Sequence, residues 1–215
     1  LPTTPSTTPS TTSSSTITPA ATTTNVTSNI TTAATDNTTN NTSSTITYKL
    51  NYDGGTRGNG TANTMSGSGS VLTWSITPST LPSLLISPWM PCWKYVEMYD
   101  YLPYVKTNNQ SEYYGLINGL TDLLTILHAN PTNITSLKTN VIIEGDSELV
   151  TRHLNGIYEC RSPSLTSLYS MSKSLISLIS EFTGGEVVVR HVGRGGNKEA
   201  DRMANVAMDE RGCGR

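Results

Sequence analysis

Residues 46–55 read ITYKLNYDGG, and their pattern is the starting point for predicting the fold. Its apolar side chains alternate with polar ones, at Ile46, Tyr48, Leu50 and Tyr52. That alternation is the period of a β-strand with one face in a core. Asp53 follows the last apolar position and precedes two glycines. The pattern therefore predicts a buried strand that delivers Asp53 at its carboxyl end.

Two further strands are expected downstream, over residues 67–76 and 93–105, with a Pro-rich stretch between them. Three consecutive strands of this kind predict an antiparallel meander. The remaining elements follow from apolar periodicity and are expected, in order, as a helix over 109–127, a strand over 140–144, helices over 147–154 and 164–182, a strand over 186–192 and a helix over 197–208. This order predicts an α/β domain with a five-stranded mixed sheet, its first three strands antiparallel, flanked by helices.

The stretch upstream of this domain has a different composition. Residues 1–45 are almost entirely Thr, Ser, Asn, Ala and Pro, with no aromatic residue and one charge, at Asp36. Such a segment cannot bury enough apolar surface to offset its ordering entropy, so we expect a disordered tail. The folded domain is expected over 46–210, and residues 211–215 as a flexible C-terminus. Acceptor triplets for glycans at Asn25 and Asn29 leave an extracellular stalk as an alternative.

Composition excludes some classes of function. The net charge of −2 gives no global basic field, so contacts to nucleic acid must be local. The three cysteines form no CxxC pair, which favours a reducing, intracellular setting in cytoplasm, nucleus or organelle. Apolar runs are too short for a membrane span. The chain begins at Leu1 rather than Met, which leaves open whether it is a fragment of a longer protein.

Four acidic residues stand at predicted element boundaries: Asp53, Glu112, Asp146 and Asp201. Each alone has an ordinary explanation as a turn, cap or surface residue. If the strand ends converge, however, four carboxylates share one site and repel one another unless cations neutralise them. Mg²⁺, with its preference for oxygen ligands, is the natural neutraliser. Two such ions can flank a phosphate that is being cleaved.

Four sequence blocks resemble those of type 1 ribonuclease H domains, in the plant, archaeal and bacterial reverse-transcriptase-like branch. They occur in the family's order, at residues 52–60, 107–113, 145–156 and 190–202. The last block begins Arg190-His191-Val192, and no basic helix lies between residues 154 and 175, as in that branch. The loop 193–196 (GRGG) departs from the family pattern and is expected to be more mobile.

The resemblance implies an endonuclease that cuts the RNA strand of an RNA·DNA hybrid and leaves 5′-phosphate and 3′-hydroxyl ends. It implies that Asp53, Glu112, Asp146 and Asp201 bind two Mg²⁺ ions, with Mn²⁺ as a possible substitute. It also places His191 where the family has a loop histidine that assists proton transfer or product release.

Substrate contacts are expected near the acidic residues. Four amide side chains are suited to reading ribose 2′-hydroxyls across a minor groove: Asn59, Asn108, Asn109 and Gln110. Arg57, Arg194 and Arg202 are the candidates for phosphate contacts. Two alternatives stay open, a catalytically weak nucleic-acid-binding module and a retroelement-derived domain. No membrane contact and no obligate protein partner are predicted, and the oligomeric state is open.

Overall fold

The structure is a computed structural model that describes residues 45–59, 61–77, 94–129 and 138–215. The expected disordered tail, apart from Thr45, lies outside these residues. The described strands are β1 (Thr45–Arg57), β2 (Met65–Thr77), β3 (Lys94–Tyr101), β4 (Lys138–Gly145), β5 (Val187–His191) and β6 (Cys213–Gly214). The described helices are α1 (Asn108–Ala129), α2 (Glu148–Leu154), α3 (Pro163–Thr183) and α4 (Lys198–Glu210), and a 3-10 turn spans Arg194–Gly196.

The strands form one mixed sheet in the order β5-β4-β1-β2-β3-β6. The first three strands are antiparallel to one another, as expected, and β4 and β5 run parallel to β1 on its other side. The sheet has six strands rather than the predicted five, because the two-residue β6 adds to the outer edge of β3. The mixed α/β architecture is confirmed.

The C-terminal residues 211–215, for which we expected a flexible end, make contacts with the folded domain. Cys213 and Gly214 pair with β3, and Arg215 forms ion pairs with Asp100 of β3 and Asp122 of α1. Apolar periodicity cannot reveal this arrangement, since ion pairs to distant elements decide it. Among the described residues no helix has the length and apolar character to cross a membrane.

The core lies between α1, α3 and one face of the sheet. Its centre is formed by the alternating apolar residues of β1 and by the apolar stripe of α1, all buried: Ile46, Tyr48, Leu50, Tyr52, Leu116, Leu120 and Leu123. Helix α4 packs on the opposite face, against β2, β3 and the end of β1. The two faces therefore bring residues of α1 and α4 to the same end of the central strands.

Two element boundaries differ from the prediction at the residues that matter most. Strand β1 continues through Asp53 to Arg57, paired with β2, so Asp53 lies inside the strand rather than in a turn after it. Helix α1 begins at Asn108, which moves Glu112 from the first turn to the second. Asp146 follows β4 directly, as expected.

Candidate active site

Close backbone packing between β1 and α1 brings Asp53 beside Glu112. A Cβ atom on Gly54 would lie 2.0 Å from the backbone carbon of Ser111, and one on Gly115 would lie 2.1 Å from the backbone oxygen of Asp53. Only glycine lets the strand and the helix approach so closely. Gly54, directly after Asp53, therefore serves this approach to α1 rather than a turn.

Asp146 joins this pair because β4 lies parallel to β1. Tyr52 is opposite Gly145 in the register, so the next residues along the two strands, Asp53 and Asp146, emerge side by side. One carboxylate oxygen from each of Asp53, Glu112 and Asp146 lies within 4.8 Å of the others. We refer to these three residues as the acidic triad.

The fourth predicted acid, Asp201, comes from α4. This helix approaches β2 closely, because a Cβ atom on Gly69 would lie 2.3 Å from the backbone oxygen of Ala200. Asp201 is exposed and is not among the residues within 4.8 Å of one another. It nevertheless lines one open cleft of about 420 Å³ together with all three residues of the triad.

The triad carries an electrostatic cost. Burial, with the charge of Asp146 next, raises the pKa of Asp53 to about 7, although the backbone N–H of Gly54 donates to its carboxylate at 2.8 Å. Burial followed by the charges of Asp53 and Asp146 raises the pKa of Glu112 to about 9. The carboxyls are therefore held close together at the expense of ionisation, as at sites built to receive a cation.

The donor set fits a hard divalent cation. All the ligand atoms that the triad offers are carboxylate oxygens, which Mg²⁺ prefers. The Oε1 atom of Glu112 accepts from Asn108 Nδ2 at 3.3 Å, whereas its buried Oε2 atom has no hydrogen-bond partner among the described residues. A buried carboxylate oxygen without a partner is costly, and a cation in the cleft would satisfy it.

Only some of the residues predicted near the acids line the cleft. His191 is exposed, with Nε2 3.2 Å from the backbone oxygen of Asp146, and Arg194 and Asn108 line the cleft. Asn59 and Asn109 are exposed and do not line it. The Oε1 atom of Gln110 accepts from the Thr107 hydroxyl at 3.0 Å, at the start of α1.

Two of the three arginines expected to contact phosphates also have partners within the domain. Arg57 pairs with Asp209 and donates to Asn205 Oδ1 at 2.9 Å. Arg202 pairs with Glu97 and Glu199. Single residues in a sequence do not reveal such partners, because both sets depend on how α4 lies across the strands. Lys198, which also lines the cleft, was not predicted.

Asn197 is a site residue that the sequence reasoning did not single out. It is 1% exposed, and its Nδ2 atom donates to the backbone oxygen of Tyr52 at 2.8 Å and to Asp146 Oδ1 at 3.1 Å. The side chain thus joins the start of α4 to both strands that carry triad residues. It was expected only as the first residue of the helix over 197–208, and that pattern does not reveal partners on distant strands.

Glu144 was also missed, although it lies two residues before Asp146. It is 4% exposed and pairs with Lys49 of β1 and Arg190 of β5, each at 2.7 Å. Burial raises the pKa of Glu144, but the two cations outweigh that effect and hold it below its usual value. This acid is therefore ionised and paired with cations within the sheet, whereas burial raises the pKa of Asp53 and Glu112.

Comparison with known proteins places the chain in a family. The sequence model of the family described as reverse transcriptase-like matches residues 94–207, just over half of the chain. Over 103 residues the chain is 33% identical to the bifunctional protein Rv2228c of Mycobacterium tuberculosis, a match that covers 48% of this chain and 24% of that protein. The matched segment is therefore about a quarter of that curated relative's length.

Solved structures agree over a longer stretch. The N-terminal RNase H domain of Rv2228c from Mycobacterium tuberculosis, solved as a fusion with maltose binding protein, has a TM-score of 0.53 and 27% identity and covers 77% of this chain and 95% of that chain. LC11-RNase H1, solved in complex with an RNA/DNA hybrid, has a TM-score of 0.52 and 26% identity and covers 77% of this chain and 98% of that chain. The chain therefore belongs to the reverse transcriptase-like family and contains a type 1 ribonuclease H domain.

Proposed function

We propose that this chain is an endonuclease that hydrolyses the RNA strand of RNA·DNA hybrids and leaves 5′-phosphate and 3′-hydroxyl ends. The observation that carries the proposal is the acidic triad, whose carboxylate oxygens lie within 4.8 Å of one another in a cleft that Asp201 also lines. The likeness to a ribonuclease H1 solved with an RNA/DNA hybrid supports the choice of substrate.

The four acids would hold two divalent cations, Mg²⁺ or in its place Mn²⁺. Bound there, such ions supply activation of the attacking water and stabilisation of the leaving oxygen. The contribution of the protein is to keep Asp53, Glu112 and Asp146 close despite their repulsion, through the packing of β1 against α1 and the pairing of β1 with β4.

The charge in the cleft makes substrate binding depend on cations. In the metal-free cleft Glu112 and part of Asp53 hold protons near neutral pH, and the remaining carboxylates offset the two cationic side chains, Arg194 and Lys198, so little positive charge is left to attract a phosphate backbone. Two divalent ions would make the cleft positive. Arg194 and Lys198 would then contact phosphates on either side of the cut, and no global basic field is needed.

His191 lies beside the backbone of Asp146, at the edge of the triad. Its Nε2 atom can donate to the backbone oxygen of Asp146, 3.2 Å away, and that tautomer leaves Nδ1 as a proton acceptor. We infer that His191 transfers a proton during hydrolysis or product release. Its exposure keeps the imidazole in contact with solvent.

Discrimination of RNA from DNA is assigned to the amide side chains around the cleft. Asn108 lines the cleft and donates to Glu112, so it lies where a ribose next to the cut would be held. Asn59, Asn109 and Gln110 would extend these contacts to neighbouring ribose 2′-hydroxyls. Such contacts recognise RNA without reading base sequence.

Cleavage of an end-labelled RNA·DNA hybrid with Mg²⁺ tests the proposal, with single-stranded RNA, duplex RNA and duplex DNA in parallel. We expect cutting of the hybrid's RNA strand alone, lost in Asp146→Asn and in Glu112→Gln. Glu181→Gln is the matched control, because it removes an exposed carboxylate on α3 that does not line the cleft.

Two results would contradict the proposal. Cutting that survives both substitutions would place the chemistry elsewhere. No cutting by a folded protein that binds Mg²⁺ and hybrid would instead support a nucleic-acid-binding module, or a retroelement-derived domain that requires further polypeptide for activity.

A further inference from the structure

Close packing of α4 on β2 at Gly69 sets the backbone near Asp201, whereas the Asp201 carboxylate is exposed and is held by a neighbouring side chain. Asn205, one turn further along α4, donates from Nδ2 to Asp201 Oδ1 at 3.3 Å and to the Asp201 backbone oxygen at 2.9 Å. The other end of the same amide, Oδ1, accepts from Arg57 at 2.9 Å. Asn205 thus joins Asp201 to a residue of β1.

Arg57 fixes the orientation of the Asn205 amide. It lies four residues beyond Asp53 in the same strand, and its guanidinium is also paired with Asp209 at the end of α4. The fixed fork of a guanidinium orients the groups that it contacts. With the Oδ1 atom of Asn205 occupied by Arg57, its NH₂ group is turned toward Asp201. An amide held by the opposite end cannot flip without losing both contacts.

We propose that Asn205 is a positioning residue that, with Arg57 oriented by Asp209, holds the Asp201 carboxylate toward the metal site of the cleft. This inference rests on the proposed function, since it concerns how the fourth acid is presented to a cation. Successive contacts from Asp209 to Arg57, from Arg57 to Asn205 and from Asn205 to Asp201 connect the exposed acid to β1, the strand that carries Asp53. Groups that orient metal ligands typically contribute about 10- to 100-fold to metal affinity or activity.

Mg²⁺ titration by calorimetry tests the inference without requiring catalysis. We expect Asn205→Ala to weaken Mg²⁺ binding about tenfold and Arg57→Met to weaken it less, because Arg57 acts through Asn205. Asn118→Ala is the matched control. It removes an amide on α1 that donates to Ser68 at 3.1 Å and to Asp100 at 3.0 Å and that does not line the cleft, so it should leave Mg²⁺ affinity unchanged.

A double-mutant cycle separates positioning from a general structural role. If Asn205 acts through Asp201, then adding Asn205→Ala to Asp201→Asn weakens Mg²⁺ binding no further. In cleavage assays, Asn205→Ala should raise the Mg²⁺ concentration for half-maximal rate and leave KM for the hybrid, measured at saturating Mg²⁺, unchanged.

The failures of the two proposals are distinguishable. Additive effects of Asn205→Ala and Asp201→Asn, or equal Mg²⁺ affinity in wild type and Asn205→Ala, would overturn the positioning role even if the protein cuts hybrids. Conversely, a protein that cuts no hybrid but shows the non-additive Mg²⁺ titration retains the positioning role and loses the proposed activity.

Discussion

The two sides of the cleft hold their acids by different means. On the sheet side, the triad is fixed by backbone: Gly54 and Gly115 let β1 and α1 touch, and the register of β1 with β4 sets Asp146 beside Asp53. On the α4 side, Gly69 lets α4 approach β2, but the Asp201 carboxylate is exposed and accepts a hydrogen bond from Asn205. The comparison teaches that carboxylates with a high cost of approach require rigid support, whereas an exposed acid can be adjusted by a side chain.

The largest expected effect is on the sheet side, at Gly54. A methyl group there would lie 2.0 Å from the backbone of Ser111, so β1 and α1 must separate. We expect Gly54→Ala to lower the free energy of unfolding by more than about 4 kcal/mol, measured by urea denaturation. Gly193→Ala is the control, because Gly193 has φ −70° and nothing within 4 Å of its added Cβ, and we expect no more than about 0.5 kcal/mol there. Equal losses would contradict the close-packing argument.

The next effect compares the acids themselves. We expect Asp53→Asn or Glu112→Gln to lower kcat for the hybrid at least about 10³-fold, whereas Asp201→Asn lowers it about 10- to 100-fold. The reason is that the triad supplies the closely spaced ligands and Asp201 completes the set from the exposed side. Single-turnover cleavage at saturating Mg²⁺ measures both. A loss in Asp201→Asn as large as in the triad variants would remove the distinction between the two sides.

A smaller effect concerns pH in the absence of metal. The pKa of Glu112 is raised to about 9 and that of Asp53 to about 7, above the ordinary values of 4.5 and 3.8. The folded protein therefore keeps protons that the unfolded chain releases. The stability due to this uptake is fully present below the unfolded pKa values and is lost as pH rises through 7 to 9.

We thus expect the free energy of unfolding in EDTA to fall between pH 5 and pH 9 by an amount on the order of a few kcal/mol. Excess Mg²⁺ should flatten this dependence, because cations replace the protons. Urea denaturation at several pH values measures it. Glu112→Gln should show a shallower decline than wild type, and an identical decline would assign the pH dependence to other groups.

The smallest effect is at Asn197, which joins the two sides. Asn197→Ala removes one donor from the backbone oxygen of Tyr52 and one from an oxygen of Asp146, and we expect a loss of about 1–3 kcal/mol in stability. Asn155→Ala is the control, because its Nδ2 atom also donates to a strand oxygen, that of Val189 at 3.1 Å, but it is exposed. We expect that variant to lose less than about 1 kcal/mol in the same denaturation measurement. Equal losses would indicate that burial of Asn197 adds nothing.

Much of the fold was predictable because its signals are local. Alternating apolar residues in β1 and the apolar stripe of α1 are properties of neighbouring positions, and both elements form as expected. The boundaries were less accurate where a partner decides them. Strand β1 extends to Arg57 because β2 pairs with it along that length, and β6 exists because the edge of β3 accepts it.

Sequence motifs named candidate residues for the site, but they did not predict the hydrogen bonds and ion pairs between those residues and their neighbours. The four acids and His191 could be named from motifs, whereas Asn197 and Glu144 could not, because their partners lie on distant strands. The partners of Arg57 and Arg202 within the domain could not be named from the sequence for the same reason. A side chain's partners depend on elements far away in the chain, and no local pattern contains them.

The sequence by itself determined which elements form and which acidic residues stand near their ends, because hydrophobic periodicity and motif spacing act over a few residues. The tertiary structure alone decided that three of those acids meet within 4.8 Å. Burial in the folded protein also raises the pKa values of Asp53 and Glu112 to about 7 and about 9. The fourth acid, Asp201, accepts a hydrogen bond from Asn205. Distances between carboxylates, their burial and hence their pKa values arise only when β1, β4, α1 and α4 pack together, because each of these quantities belongs to a pair of elements rather than to one.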